Sequence, residues 1–317
     1  MTRLNKILFV SQDPAKEQAL FDWTLSLAKR HQASLICLRV FPAVSVGLTS
    51  WINNVSPSDV MTKQTQFGLE SMHAWYQQAR QQGVELKTNV AFGKLFYKAI
   101  QMALVEQVDW VVKQTDEEAQ DIPSRIFGSQ DMHLLRKCPC PILLHKRGAN
   151  LELTNVMASI DVDLESESVT MNPLNETILG LAQDLAQAEK AQLHVAHAWQ
   201  AEAENLVRYW NSDMSDEDMV NFNESIRNQH LSALEYEIRA LRETQPDLKV
   251  HAAKGQASEV IPRLVLSHNV DLLVMGTLGR AGLPGLVIGN TAESILERVQ
   301  CSVLAIKPDG FVSPVTL

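Results

Sequence analysis

The chain repeats itself once, and that repeat decides most of what it can fold into. Asp109-Trp-Val-Val-Lys-Gln-Thr115 returns as Asp271-Leu-Leu-Val-Met-Gly-Thr277, and Cys140-Pro-Ile-Leu-Leu-His-Lys146 returns as Cys301-Ser-Val-Leu-Ala-Ile-Lys307. Gly93 and Gly255 each precede the repeated aspartate by sixteen residues, and Ala28 to Val40 matches Ala186 to Ala198. A long, nearly constant offset means two copies of one supersecondary plan. The 317 residues also exceed what one small domain holds. The sequence therefore predicts two domains of one fold, 1–148 and 149–317, joined between Lys146 and Leu153.

Each half alternates short apolar runs with helical periodicity. In the second half, strands are predicted at Val156 to Asp161, Leu193 to Trp199, Leu248 to Ala253, Asp271 to Gly276 and Ser302 to Lys307. Asn172-Pro173 supplies an N-cap and a first-turn proline for a helix running to Glu189. Ser215-Asp-Glu-Asp218 reads as a capping box opening a long helix towards Glu243. Further helices are predicted at Ser258 to His268 and Gly289 to Val299. Asp13-Pro14 is the corresponding helix start in the first half. Apolar strands separated by helices imply a parallel sheet covered on both faces. Five strands per half with right-handed crossovers make an α/β, doubly wound, Rossmann-like domain. Such sheets bind ligands beyond the carboxyl ends of their strands.

Charge and composition narrow the function. The formal net charge is −9, and it is uneven: residues 1–148 carry 17 Lys and Arg against 13 Asp and Glu, the remainder 11 against 24. An acidic balance argues against nucleic-acid binding. No apolar run approaches the ~18–20 residues of a membrane helix. The run Ile7 to Val10 is too short for a signal-peptide core, so a cytoplasmic protein is expected. Four cysteines without a Cys-x-x-Cys pattern signal neither a zinc knuckle nor a dithiol redox motif.

The segment with most chemical content is Gly276-Thr-Leu-Gly279-Arg280, followed by Gly289-Asn290-Thr291-Ala292-Glu293. It follows the apolar run Asp271 to Met275. Its glycines let backbone N–H groups approach a ligand without an intervening Cβ. Its last glycine opens a helix whose free amides and dipole favour an anion. The competing reading makes Asn290 a helix N-cap with Glu293 completing the box. Asp161 ends the first strand of the same half, and the fold would bring it to the same end of the sheet.

These residues resemble the signature of the universal stress protein family. The resemblance rests on Val274-Met-Gly-Thr-Leu-Gly-Arg-Ala-Gly282, Gly289-Asn-Thr-Ala-Glu293 and Cys301-Ser-Val-Leu-Ala-Ile-Lys307, and it covers nearly the whole chain. It implies two tandem flavodoxin-like domains. Nucleotide-binding members carry glycine, two residues, glycine, nine residues, then glycine with Ser or Thr. Gly276, Gly279 and Gly289 fit that spacing, while Asn290 departs from it. By resemblance, Asp161 meets the adenine end of ATP and the backbone of Val195 and Ala196 borders the base. Met275 and Gly276 lie at the strand end, and Arg280 with the amides of Gly289, Asn290, Thr291 and Ala292 faces phosphates, with Mg²⁺ accompanying the nucleotide. In the first half, Gln114, Glu117 and Glu118 replace Gly276, Gly279 and Arg280, and Gln12 stands where Asp161 stands. Carboxylates there would repel phosphate, so no ATP site is expected in residues 1–146. The resemblance also implies an intramolecular pseudo-dimer. The fifth strands, near Ile142 to His145 and Val303 to Ile306, would pair antiparallel so that neither leaves an open edge. A further homodimer is an additional expectation.

Other patterns carry less. His194 and His197 are three apart on a strand, hence on opposite faces and unable to share a metal. No metal site, catalytic residue, Walker-A loop or nucleophile elbow is predicted. The apolar connection Phe41 to Ser56 suggests packing between halves or subunits, or a groove for an amphipathic metabolite. The charged run Glu202 to Asp218 reads as solvated surface. The function expected is a stress-response protein whose second domain binds ATP or a related phosphate-bearing ligand as a regulatory signal. A scaffold acting through partners is the alternative, and ATP hydrolysis is disfavoured because no positioned base is evident.

Overall fold

A computed structural model describes residues 4–44, 56–116, 127–162, 164, 171–201, 215–278 and 288–317. Several sequence features lie outside the described residues: Gly279, Arg280 and Gly282, the acidic Glu117, Glu118 and Asp121, residues 45–55 of the apolar connection, and 202–214 of the charged run. The first repeat runs β1 (Lys6–Ser11), α1 (Gln18–His31), β2 (Ser34–Phe41), α2 (Pro57–Ser71), α3 (His73–Gln81), β3 (Leu86–Phe92), α4 (Leu95–Glu106), β4 (Trp110–Gln114), α5 (Ser129–Lys137) and β5 (Ile142–His145). The second runs β6 (Asn155–Ser159), α6 (Pro173–Glu189), β7 (Gln192–Trp199), α7 (Asp216–Thr244), β8 (Lys249–Lys254), α8 (Ala257–Ser267), β9 (Leu272–Gly276), α9 (Asn290–Leu296) and β10 (Ser302–Ile306).

The chain divides into two compact units. One takes residues up to Leu151, Ile288 and Ser302–Leu317; the other takes the described residues of Glu152–Gly282 and Gly289–Cys301. In the first, β2 and β4 flank β1, β3 adds to β2 and β5 to β4, all parallel. β10 then pairs antiparallel with β5, with Leu304 opposite Leu143. The fifth strands thus meet antiparallel, as the sequence suggests. The second unit carries β9, β6, β7 and β8 side by side and parallel.

The strands are near-continuous apolar runs because both faces are covered. Ile7, Leu8, Phe9 and Val10 are fully buried in β1, as are Val156, Met157 and Ala158 in β6. In the first unit Phe21 and Trp75 stack with centroids 4.5 Å apart, and Phe9 meets both edge-on.

The repeat has physical causes. The Asp109 carboxylate accepts the amides of Asn5 and Lys6, at 2.6 and 2.8 Å. Asp271 accepts those of Thr154 and Asn155, at 2.7 and 2.9 Å, and the Thr154 hydroxyl. Each aspartate therefore locks the fourth strand of its repeat to the start of the first. Gly93 and Gly255 turn from the third strand into the next helix at φ 134° and 138°, where other residues are strained. Each donates its amide to the end of the second strand, at Phe41 and Trp199.

Helix starts follow the sequence in the second unit. The Asn172 side chain accepts the Leu174 amide, with Pro173 in the first turn. Ser215 and Asp218 form the reciprocal capping box. The first repeat differs, because Asp13-Pro14 forms a turn and α1 begins only at Gln18. Glu17 is the cause: its buried carboxylate accepts the Ser11 hydroxyl and the Gln12 amide, holding the chain in a turn first.

Candidate functional site

At the carboxyl ends of β6, β7, β8 and β9, the second unit opens a cavity of about 1020 Å³. Ser159 at the end of β6 and Asp161 just after it, Trp199 at the end of β7, Gly255 just after β8, and Met275 with Gly276 at the end of β9 all reach it. α6, α8 and α9 all begin at its wall, at Asn172, Ala257 and Asn290. Unpaired amides and aligned dipoles make a helix start attractive to anions. The N-caps of α8 and α9 make no side-chain cap bond, whereas Asn172 caps α6. One flank is apolar and aromatic, with Trp199, Phe222, Ile226 and His230.

A buried hydrogen-bond network fixes the rim. Glu237 on α7 accepts the Asn172 amide at 3.2 Å and the Asn175 side-chain amide at 3.1 Å. Asn175 also donates to the Asp161 carbonyl at 2.7 Å. Asp161 itself is exposed to the cavity. On the aromatic side, His230 lies 3.1 Å from His197, whose other ring nitrogen is 3.3 Å from the Ile160 carbonyl.

Asp161, Met275, Gly276, Gly289, Asn290, Thr291 and Ala292 line this one space. Gly279 and Arg280 lie outside the described residues. Val195 and Ala196 do not line the cavity: both are fully buried in β7, and the Ala196 carbonyl accepts the Ile160 amide. Ala198 and Trp199, nearer the strand end, stand there instead. Trp199, His230 and Phe222 carry no sequence signal for this role, since they meet only through the packing of α7.

One local expectation changes. Gly289, not Asn290, is the N-cap of α9, and it supplies no side-chain cap. Asn290 occupies the first helical position and is exposed. A Cβ on Gly276 would lie 2.9 Å from Leu174 Cδ2 on α6, so the bare position also suits the packing of that side chain.

The first unit shows what the same place looks like when the protein fills it. Asp131 is the third residue of α5, where α9 has Ala292. Its carboxylate accepts the amides of Asp116 and Gly128, at 2.9 and 3.1 Å, and Lys113 Nζ at 2.8 Å. Lys113, fully buried, also donates to Asp116 at 2.6 Å. A Cβ on Gly128 would lie 2.7 Å from the Asp116 carboxylate. Burial pushes the Asp131 carboxyl up, against the pull of Lys113. The protein's own carboxylates thus occupy this helix start.

The universal stress protein family model matches the chain twice, over residues 4–146 and 169–307. The chain belongs to the universal stress protein family. It is a stress-response protein with two such repeats. It is 34% identical over 239 residues to universal stress protein E of Salmonella typhi, covering 74% of this chain and 72% of that one. With universal stress protein E of Escherichia coli K12 the identity is 30% over 266 residues, covering 82% and 81%. Two solved universal stress protein structures share the fold. One, from Pseudomonas aeruginosa UCBPP-PA14, aligns with TM-score 0.65 at 23% identity, covering 96% of this chain and 94% of that one. The other, from Archaeoglobus fulgidus DSM 4304, aligns with TM-score 0.62 at 15% identity, covering 96% and 99%. Among the described residues, no helix of this universal stress protein is long and apolar enough to cross a membrane.

Proposed function

We propose that the second unit binds ATP, with Mg²⁺, as a regulatory signal. One observation carries the reading: a cavity of about 1020 Å³ that has Asp161 at one strand end and three helix starts in its wall. That volume is at the upper end of small-molecule sites. Asp161 would accept from the adenine amino group, and Trp199 and Phe222 would flank the base. The amides of Thr291 and Ala292, at a helix start without a side-chain cap, would meet phosphate oxygens. The acidic plug of the first unit confines the activity to the second.

The test uses that plug. Ala292→Asp places a carboxylate where the first repeat has Asp131. Ala292 is buried and Met275 stands where Lys113 pairs with Asp131, so Met275→Lys accompanies Ala292→Asp to keep the new carboxylate paired. ATP binding with Mg²⁺, followed by calorimetry, should weaken at least about tenfold, or ~1.4 kcal/mol. Asp161→Asn should lower the preference for ATP over GTP. A wild-type chain giving no heat and no thermal shift at millimolar ATP would end this reading in favour of a scaffold acting through protein partners.

A further inference from the structure

In the first unit, the chain between α5 and β5 carries two thiols. Cys138 is the C-cap of α5, and the chain bends at Pro139 and Cys140 before β5 begins. The two sulfurs are 3.6 Å apart. The register of β10 on β5 sets Val303 opposite Leu144, Leu304 opposite Leu143 and Ala305 opposite Ile142. Continued by two residues, it brings Lys307 opposite Cys140. Neither thiol lines the cavity of the second unit, and nor does Lys307. We propose that Cys138 and Cys140, beside Lys307, form a dithiol that hydrogen peroxide oxidises to a disulfide and thiol reductants reopen.

The local geometry suits that bond. A disulfide holds its sulfurs ~2.05 Å apart and its Cα atoms about 4.4–6.8 Å apart. The bend shortens the span between the two Cα atoms, and side-chain rotation closes the gap between the sulfurs. Cys138 is buried and Cys140 partly exposed, so an oxidant as small as peroxide meets Cys140 first. The Cys140 thiol donates to Cys138 and, with a smaller contribution from the Lys307 charge, holds Cys138 below the ordinary thiol range. That same bond, burial and Asp109 push Cys140 up. Burial lowers Lys307 to about 8, against the pull of Cys138, so it stays a cation at neutral pH. The other two cysteines lack this setting. Cys37 is fully buried and pushed far up by burial and Glu17. Cys301 is the counterpart of Cys140 in the second repeat, but Val299 stands where Cys138 would be.

The proton bridging the two sulfurs passes to Cys138, and the Cys140 thiolate attacks one peroxide oxygen. A sulfur–oxygen bond forms, the oxygen–oxygen bond breaks, and hydroxide leaves to take up a proton as water. Cys138 then loses its proton, its thiolate stabilised by Lys307, and attacks Cys140 Sγ. A sulfur–sulfur bond forms, the sulfur–oxygen bond breaks, and the second hydroxide leaves as water. The dithiol is oxidised by two electrons and releases two protons, and one peroxide is reduced to two waters. Lys307 is a positioning residue, acting through the charge on Cys138.

The test treats the reduced full chain with hydrogen peroxide and follows free thiols by alkylation and mass spectrometry. Thiols should fall from four to two per chain. The peptide holding Cys138 and Cys140 should lose the mass of two hydrogens, and dithiothreitol should restore it. This wild-type measurement needs no variant. Cys138→Ser should stop at a sulfenic acid on Cys140, which dimedone traps. Lys307→Met should slow disulfide formation several-fold and raise the apparent pKa of its pH profile, and Lys307→Arg should restore both. The proposal is overturned by four thiols surviving a dose that oxidises free cysteine, by a disulfide through Cys37 or Cys301, by irreversible oxidation without a disulfide, or by an unchanged rate in Lys307→Met.

Discussion

Asp109 and Asp271 do at the residue scale what the repeat does for the whole chain. Removing the Asp271 carboxylate strands the amides of Thr154 and Asn155 at the start of β6. Hydrogen bonds to charged groups contribute about 1.5–3 kcal/mol. Asp271→Ala should therefore lower the unfolding free energy by that amount, seen as a fall in the urea midpoint at unchanged slope, and Asp271→Asn should recover part of the loss. His145 makes stability depend on pH. Burial holds its pKa at about 4, below the 6.5 of a free imidazole. The unfolded chain then takes up a proton that the folded chain refuses. This contribution is whole above about pH 6.5 and is lost as the pH falls towards 4, at up to ~1.4 kcal/mol per pH unit. His194 acts in the same sense; Asp131, pushed up by burial, acts in the opposite one. Denaturant midpoints measured in metal-free buffer should fall across that window, and less steeply in His145→Gln. The sequence shows the repeated aspartates but not their partners, because Thr154 and Asn155 are ordinary residues more than a hundred positions away. It shows Gly276 but not its packing neighbour, since Leu174 comes beside it only when α6 packs on β9.

The elements most legible in the sequence are those whose ends are set by local chemistry. Asn172-Pro173 and the box at Ser215 act within one turn, and both helices begin there. Asp13-Pro14 has the same local chemistry, yet α1 starts later because Glu17 spends its carboxylate on the end of β1. The start of α5 is a longer-range case. Its surroundings are acidic, as the sequence suggests, but the buried Lys113 that pairs with Asp131 reads in sequence as one charge in an apolar strand. A buried ion pair is fragile to the loss of one partner and tolerant of replacing both. Lys113→Met should cost about 3–5 kcal/mol by leaving Asp131 buried with little compensation. Adding Asp131→Ala reproduces Met275 and Ala292 of the second repeat and should return most of that loss. A double-mutant cycle on thermal or urea unfolding measures the coupling. Additive effects would mean that the pair is not the structural plug described above.

At the scale of the molecule, the strand that completes the first unit comes from the second repeat. β10 lies on β5, and Ser302 joins them: its hydroxyl is 3.0 Å from His145 Nδ1 and accepts the Lys146 amide at 3.1 Å. Beyond β10 the segment stays with the same unit. Ser313 donates to the Lys137 carbonyl at 2.7 Å, Tyr97 and Gln101 both donate to the Thr316 carbonyl, and Val315 is buried. The antiparallel meeting of β5 and β10 was legible because two apolar edge strands need cover. The path of residues 308–317 was not, because it follows single hydrogen bonds and has no periodicity. Closing this unit therefore joins residues about 160 positions apart, an entropic cost that slows folding more than it weakens the native state. Leu304 is fully buried opposite Leu143. Leu304→Ala should cost about 2–5 kcal/mol, while Val312→Ala, at an 83% exposed site, should stay within about 0.5 kcal/mol. Stopping the chain after Cys301 should go further and leave β5 as an open apolar edge. Size-exclusion chromatography should then show self-association, and amide exchange in β4 and β5 should rise together. A monomeric truncation with β5 still protected would mean that the first repeat closes its own sheet.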